Sequence, residues 1–238
     1  MAMAANKDIL ILSLETSADG CSASLSVNGK SVADCSIDEP RMQTSRLAPM
    51  VEELLGTAGC RVNNCAAVAV SSGPGSYTGL RVGVSMAKGL CFGAGIPLIG
   101  VNTLDLIAVQ GRALMAAEPL DYIVPMIDAR RMEVYQAVYD AECIRIGKIE
   151  PLILDETSYA DLLAKGRVLF CGDGCEKFQA ATSSANALFA PCRPDASYMA
   201  KIAFDKYLTG DFEDVAYMEP FYLKDFRIGQ SKKNILGI

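Results

Sequence analysis

One order of elements occurs twice along this chain. In the first half, three short apolar or alternating runs (Ile9–Leu14, Cys21–Val27 and Ser31–Ile37) read as strands. An amphipathic helix over Gln43–Gly56, a buried strand over Ala66–Val70, a helix over Gly79–Phe92 and a strand over Pro97–Val101 follow. The second half offers strands over Tyr122–Ile127, Glu133–Tyr139 and Ile144–Leu154, a helix over Ser158–Ala164, a strand over Val168–Cys171 and a closing helix over Asp195–Leu208. Each first strand runs into an acid, Glu15 or Asp128. Each fourth strand runs into Gly-x-Gly, Gly73-Pro74-Gly75 or Gly172-Asp173-Gly174. A doubled β-β-β-α-β-α order restricts the chain to an α/β protein of two similar lobes. The expected lobes are residues 1–108 and 109–238, joined near 102–120. Local signals agree: Asn28-Gly29 is a hairpin turn, and Ser45 or Thr44 caps the first helix, with Pro49 close to its first turn.

Composition removes several function classes. With no histidine among 238 residues, Ser-His-Asp and Cys-His nucleophile systems and H-E-x-x-H zinc sites are impossible. A formal charge of −6 argues against free-standing nucleic-acid binding, which needs clustered Lys and Arg. Nine cysteines lack C-x-x-C spacing, and Cys21, Cys35, Cys91 and Cys171 sit in apolar segments. They read as buried thiols in a reducing cytoplasm. MAMAANK has no apolar core and reads as no signal peptide; MAMA has the look of an expression remnant. The apolar stretch Val82–Ile99 is interrupted by Lys88, glycines and Pro97, so no membrane span is expected.

The stretch SSGPGSYTGLRVGVSMAKGL, residues 71–90, has the appearance of a phosphate cradle at a helix start. Gly73 and Gly79 are one residue too far apart for a P-loop, Leu80-Arg81 stands where Lys-Ser/Thr belongs, and no G-x-G-x-x-G fits. The stretch is a tight strand-to-helix turn, with Ser76 or Thr78 as the cap.

The doubled unit resembles the actin-like (ASKHA, ribonuclease H-like) architecture. Glu15-Thr16-Ser17, GPGSYTGLRVG and IDARRMEVY together resemble the TsaB (YeaZ) family, over Ile9 to about Leu223. That resemblance implies a part in making threonylcarbamoyladenosine in tRNA, as the sister of a catalytic TsaD-type subunit. In that subunit an H-x-x-x-H pair binds a metal; the matching positions here are Thr103 and Ile107, which cannot chelate an ion. The implied role is a cytoplasmic, non-catalytic scaffold with no metal and no cofactor. Its implied partners are the TsaD-type subunit and a small TsaE-type ATPase, with tRNA contacted through the complex and a homodimer when the chain is alone. The alternative is an ATP-dependent kinase or ATPase of the actin-like superfamily. A metallopeptidase, an older label for the wider family, is opposed by the missing histidines.

Individual residues carry two readings. Glu15, with Gly73, Gly75 and Ser76, is the candidate nucleotide or metal-water site; alternatively Glu15 is a rim carboxylate capping local N–H groups. Asp128, Arg130 and Arg131 match inter-lobe family residues, as an ion pair or a partner contact, and Arg81 is a solvated or interface residue. In the helix Gly79–Phe92, Leu80, Val84, Ala87 and Cys91 form one apolar face, and Gly79, Gly83, Met86 and Leu90 a second. A helix apolar on two sides is internal or shared with another chain. The expected partner surface is Gly79, Gly83, Met86, Ala87 and Leu90 together with Leu47, Met50 and Leu54.

Overall fold

The structure is a computed structural model and describes residues 8–223. The readings of MAMAANK lie outside the described residues. The first half forms β1 (Leu10–Glu15), β2 (Cys21–Val27), β3 (Lys30–Ile37), α1 (Gln43–Thr57), β4 (Ala67–Gly73), α2 (Tyr77–Ala94), β5 (Leu98–Asn102) and α3 (Thr103–Leu114). The second forms β6 (Tyr122–Asp128), β7 (Glu133–Gln136), β8 (Tyr139–Asp140), β9 (Glu150–Ile153), α4 (Ala160–Leu163), β10 (Val168–Cys171), α5 (Cys175–Gln179), β11 (Ala187–Ala190) and α6 (Ala200–Thr209).

The two sheets have the same topology. The first is ordered β3-β2-β1-β4-β5, the second β9-β7-β6-β10-β11, with β8 beside β6. In both, the first three long strands pair antiparallel and the last three parallel. The turns repeat as well. Gly73 (φ +111°) and Gly172 (φ +96°) leave their fourth strands in a left-handed conformation, and a Cβ at either would overlap a backbone carbonyl oxygen. The duplicated unit expected from the sequence is therefore present at the level of strand order and backbone geometry.

Period-2 alternation distributes the core. Along β1, Leu12 and Leu14 pack with Val68 and Val70 against Leu47, Met50 and Leu54 of α1 and Val84 and Ala87 of α2. Ile11 points the other way, with Ile99 and Val101, onto Met199 and Ala203 at the start of α6. α3 belongs in sequence to the first unit but packs Leu104, Ile107 and Ala108 on Ile123 and Leu169 of the second sheet. Each closing helix thus covers the opposite sheet, which ties the lobes together. Residue 108 falls inside α3.

Several local expectations change. α1 starts at Gln43 with no side-chain cap, and Pro49 sits in its second turn. Asn28 (φ 49°) and Gly29 (φ 81°) make the expected hairpin turn. The run Ile144–Leu154 is a strand only over Glu150–Ile153, because Asp140 Oδ1 accepts the backbone N–H groups of Glu142 and Ile144 and folds the chain into a local turn. The closing helix begins as a 3-10 turn over Ala196–Met199, capped by Asp195 through Ser197 N–H (2.8 Å).

Candidate functional site

The ends of β1, β4, β6 and β10 meet across a cleft of about 1210 Å³ between the lobes. Ser17, Gly75 and Ser76 line one side, Asp128, Arg130 and Asp173 the other, and Arg193 and Tyr222 close it. A second cavity of about 450 Å³ adjoins it behind β1, sharing Ala18, Asp19 and Arg193 with the cleft.

The Gly-rich turn is fastened by its own chain. Ser76 N–H donates to Ser17 O (2.6 Å), and Ser76 Oγ accepts Gly79 N–H (3.3 Å), so Ser76 is the helix cap. Thr16 Oγ1 donates to Gly79 O (2.8 Å). A Cβ at Gly75 would overlap Ser17 O, one at Gly79 would overlap Thr16 O, and one at Gly83 would overlap Thr16 Oγ1. The glycine stripe lets α2 lie directly on the chain leaving β1. Residues beyond α6 then strap across this lobe. Lys88 Nζ donates to Ala216 O and Met218 O, Phe221 N–H donates to Ser72 O (2.7 Å), and Arg81 Nε donates to Tyr222 OH (3.2 Å). Arg81 also lies over the Tyr77 ring at 4.1 Å, with Tyr77 and Tyr222 rings 4.8 Å apart.

The candidate acids separate. Glu15 is 2% exposed and faces the smaller cavity, away from Gly75 and Ser76 in the cleft, while Gly73 lines neither space. Its Oε1 accepts Ser17 N–H, the local capping expected of a rim carboxylate, although the residue is buried. Burial pushes this carboxyl up to about 7, against hydrogen bonds from Ser17 and Ser71 that lower it; the like charge of Asp195 raises it further. Asp128, its counterpart, accepts Lys177 Nζ at 2.6 Å and Arg130 N–H at 2.5 Å. The ion pair of Asp128 is made with Lys177 of the same lobe, while Arg130 and Arg131 take left-handed backbone in the β6–β7 turn (φ 74° and 54°). Thr103 and Ile107 are both buried on α3, Ile107 in the core of the second sheet. Among the described residues, no group of three His, Cys, Asp or Glu side chains is placed to hold a metal ion, and no helix is long and apolar enough to cross a membrane.

The residues expected on the partner surface lie largely within the chain. Leu47, Met50, Leu54, Gly79, Gly83 and Ala87 are buried within the chain's own first lobe, and Met86 and Leu90 are half-buried against the same core. The second apolar face of α2 is explained by Thr16 and β1, which lie on the glycines. Of the large apolar side chains of α2, Phe92 is the one left outside, 85% exposed, beside Arg81, Ser85 and Gly89 on the solvent side. Sequence reading missed Arg193 and Tyr222 in the cleft; both arrive from loop and strap segments without a periodic signal.

Duplicated sheets of order 3-2-1-4-5, closing helices exchanged between them and Gly turns facing one cleft define a two-lobed protein of the actin-like class. A family model described as TsaD: tRNA N6-adenosine threonylcarbamoyltransferase matches residues 40–217. The tRNA threonylcarbamoyladenosine biosynthesis protein TsaB of Haemophilus influenzae is 30% identical over 228 residues, 92% of this chain and 95% of that protein. Its namesake from Escherichia coli K12 is 31% identical over 222 residues, 90% and 94% of the two chains. A solved structure titled YeaZ from Pseudomonas aeruginosa superposes with a TM-score of 0.77 at 25% identity, covering 90% of this chain and 100% of that one. Another from that organism, described as similar to peptidase YeaZ, gives 0.81 at 26% identity, covering 91% and 100%. The chain belongs to the TsaB (YeaZ) family.

Proposed function

We propose that this chain acts in tRNA threonylcarbamoyladenosine biosynthesis as a non-catalytic subunit that pairs with a TsaD-type catalytic subunit. The observation that carries the reading is the occupancy of the metal-pair positions. Thr103 and Ile107 offer one hydroxyl and one alkyl group, both turned into packed interior rather than toward the cleft. The Gly-rich turn supports it too, since Ser76 N–H and Gly79 N–H are satisfied by Ser17 O and Ser76 Oγ instead of facing outward.

In this reading the lobe of residues 1–108 carries the partner surface and the lobe of 109–238 completes the inter-lobe cleft. The surface is the C-terminal half of α2, where Phe92 is exposed and Met86 and Leu90 are half-buried on other sides of the helix, and the six buried residues named above hold that helix in place from within. A TsaE-type ATPase joins the pair, tRNA is contacted through the assembly, and the isolated chain self-associates through the same face. The test is co-purification with the TsaD-type subunit, with Phe92→Asp as the interface variant. Co-elution of the parent and its loss in the variant are expected; co-elution unchanged in the variant places the contact elsewhere, and no co-elution of the parent overturns the pairing.

A further inference from the structure

The turn between β6 and β7 holds two arginines that the pairing role does not use. Among the described residues, Arg130 (φ 74°) and Arg131 (φ 54°) are the one adjacent pair of non-glycine residues in left-handed backbone. Such positions favour glycine or asparagine, and other residues are held there at a cost in free energy. The turn is fixed from its base. Asp128 Oδ1 accepts Arg130 N–H (2.5 Å), Ala129 N–H donates to Glu133 O (3.0 Å), and Glu133 N–H donates to Arg130 O (3.1 Å). Lys177 Nζ donates to Asp128 Oδ1 (2.6 Å) and to Glu133 O (3.1 Å). Both arginines are exposed, and among the described residues no ion pair occupies either guanidinium.

Positive charge gathers around this turn. Arg130 and Arg193 both line the inter-lobe cleft, and Arg193 Nη1 donates to Asp38 O (3.3 Å). Two of the three acids on the cleft wall are offset: Lys177 pairs with Asp128, and Asp173 Oδ1 accepts Asp128 N–H (2.9 Å) while burial raises its carboxyl. On the other wall the Tyr77 and Tyr222 rings lie 4.8 Å apart, with Arg81 4.1 Å over Tyr77. Leu223 lines the same cleft, and the sequence after it carries Lys224, Arg227, Lys232 and Lys233 against one acid, Asp225. In a chain of formal charge −6, this is an uneven distribution. An acidic protein can meet a polyanion only where its cations are gathered. Planar guanidinium groups match phosphate oxygens in geometry, and loop bases stack on aromatic rings and arginine planes.

We propose that Arg130, Arg131 and Arg193 are this chain's own contact with RNA phosphates, a contact that rests on the chain's place in a tRNA-modifying assembly. The turn spends backbone strain to hold two guanidinium groups outward at the rim of the cleft. The site is separate from the C-terminal half of α2, so RNA contact and pairing are read by different variants.

The test is fluorescence anisotropy of labelled tRNA with the co-purified assembly of the whole chain and the TsaD-type subunit, titrated at several salt concentrations. Arg130→Asn/Arg131→Gly removes both cations and relieves the left-handed backbone. This variant should melt no lower than the parent and co-elute with the subunit as the parent does. Its tRNA affinity should fall at least about tenfold, and the slope of log affinity against log salt should become shallower by about two, roughly one per lost phosphate contact. Lys201→Gln/Lys206→Gln removes the same charge from α6 and should change neither. With co-elution intact, equal tRNA affinity and slope in the parent and Arg130→Asn/Arg131→Gly overturn the RNA contact and leave the pairing standing. Co-elution lost in that variant assigns the arginines to the partner protein and also overturns the contact. No co-elution of the parent overturns the pairing and the contact together. Equal weakening by the α6 variant reduces the effect to general charge and overturns the contact as well.

Discussion

Glu15 gives the sharpest stability prediction. Its carboxyl is buried at the end of β1, with Oε1 accepting Ser17 N–H. Burial raises it from 4.5 to about 7. Below pH 4.5 the group is protonated in both folded and unfolded chains and costs nothing. Between 4.5 and 7 the unfolded chain ionises first, so stability falls as pH rises; above 7 both states are ionised and the penalty is constant. A displacement of this size is worth about 3 kcal/mol, at about 1.4 kcal/mol per tenfold change. Glu15→Gln keeps the shape and removes the charge. Urea unfolding of parent and variant should therefore show the variant gaining about 3 kcal/mol relative to the parent between pH 4.5 and pH 8, with most of the change between 5 and 7. A stability difference independent of pH would refute the reasoning, because it would mean that Glu15 titrates alike in both states.

The two kinds of glycine on α2 should respond oppositely. Gly83→Ala places a methyl on Thr16 Oγ1 and should destabilise by about 1–3 kcal/mol, whereas Gly89→Ala, with nothing within 4 Å, should stabilise by about 0.5–1 kcal/mol; thermal unfolding of both reads the sign. Tyr222→Ala removes the ring against Tyr77 and the acceptor of Arg81, and should increase proteolytic cleavage within residues 213–223 while leaving global unfolding within about 1 kcal/mol. Phe92→Asp should leave monomer stability within about 0.5 kcal/mol, as expected of an exposed site, while weakening association with the catalytic subunit at least tenfold by calorimetry.

Much of the fold was legible because its signals are local. Alternation in Cys21–Val27, the Asn28-Gly29 turn and the apolar run ending at Glu15 each depend on a few neighbouring residues, and the doubled order follows from them. β11 over Ala187–Ala190 was not read: four residues flanked by polar turns carry no resolvable period. α3 lies in the stretch 102–120, whose sequence reads as the join between lobes. The site was harder. An apolar helix face does not state what covers it, and the stripe Gly79, Gly83 and Ala87 fits a partner helix or Thr16 of the same chain equally well; only the tertiary arrangement selects Thr16. Glu15 was legible as an acid after a strand, yet its burial is a tertiary property, and the Asp195 charge that acts on it lies far along the chain.

The central claim is a subunit that supports threonylcarbamoylation without performing it. Its most direct test is a reconstituted tRNA-modification assay, scored for threonylcarbamoyladenosine, with the TsaD-type subunit, the small ATPase and this chain supplied together or one at a time omitted. The account predicts modification by the full set, a large fall when this chain is left out, and no product when the TsaD-type subunit is left out. Product formed without the TsaD-type subunit, or undiminished product without this chain, would contradict it.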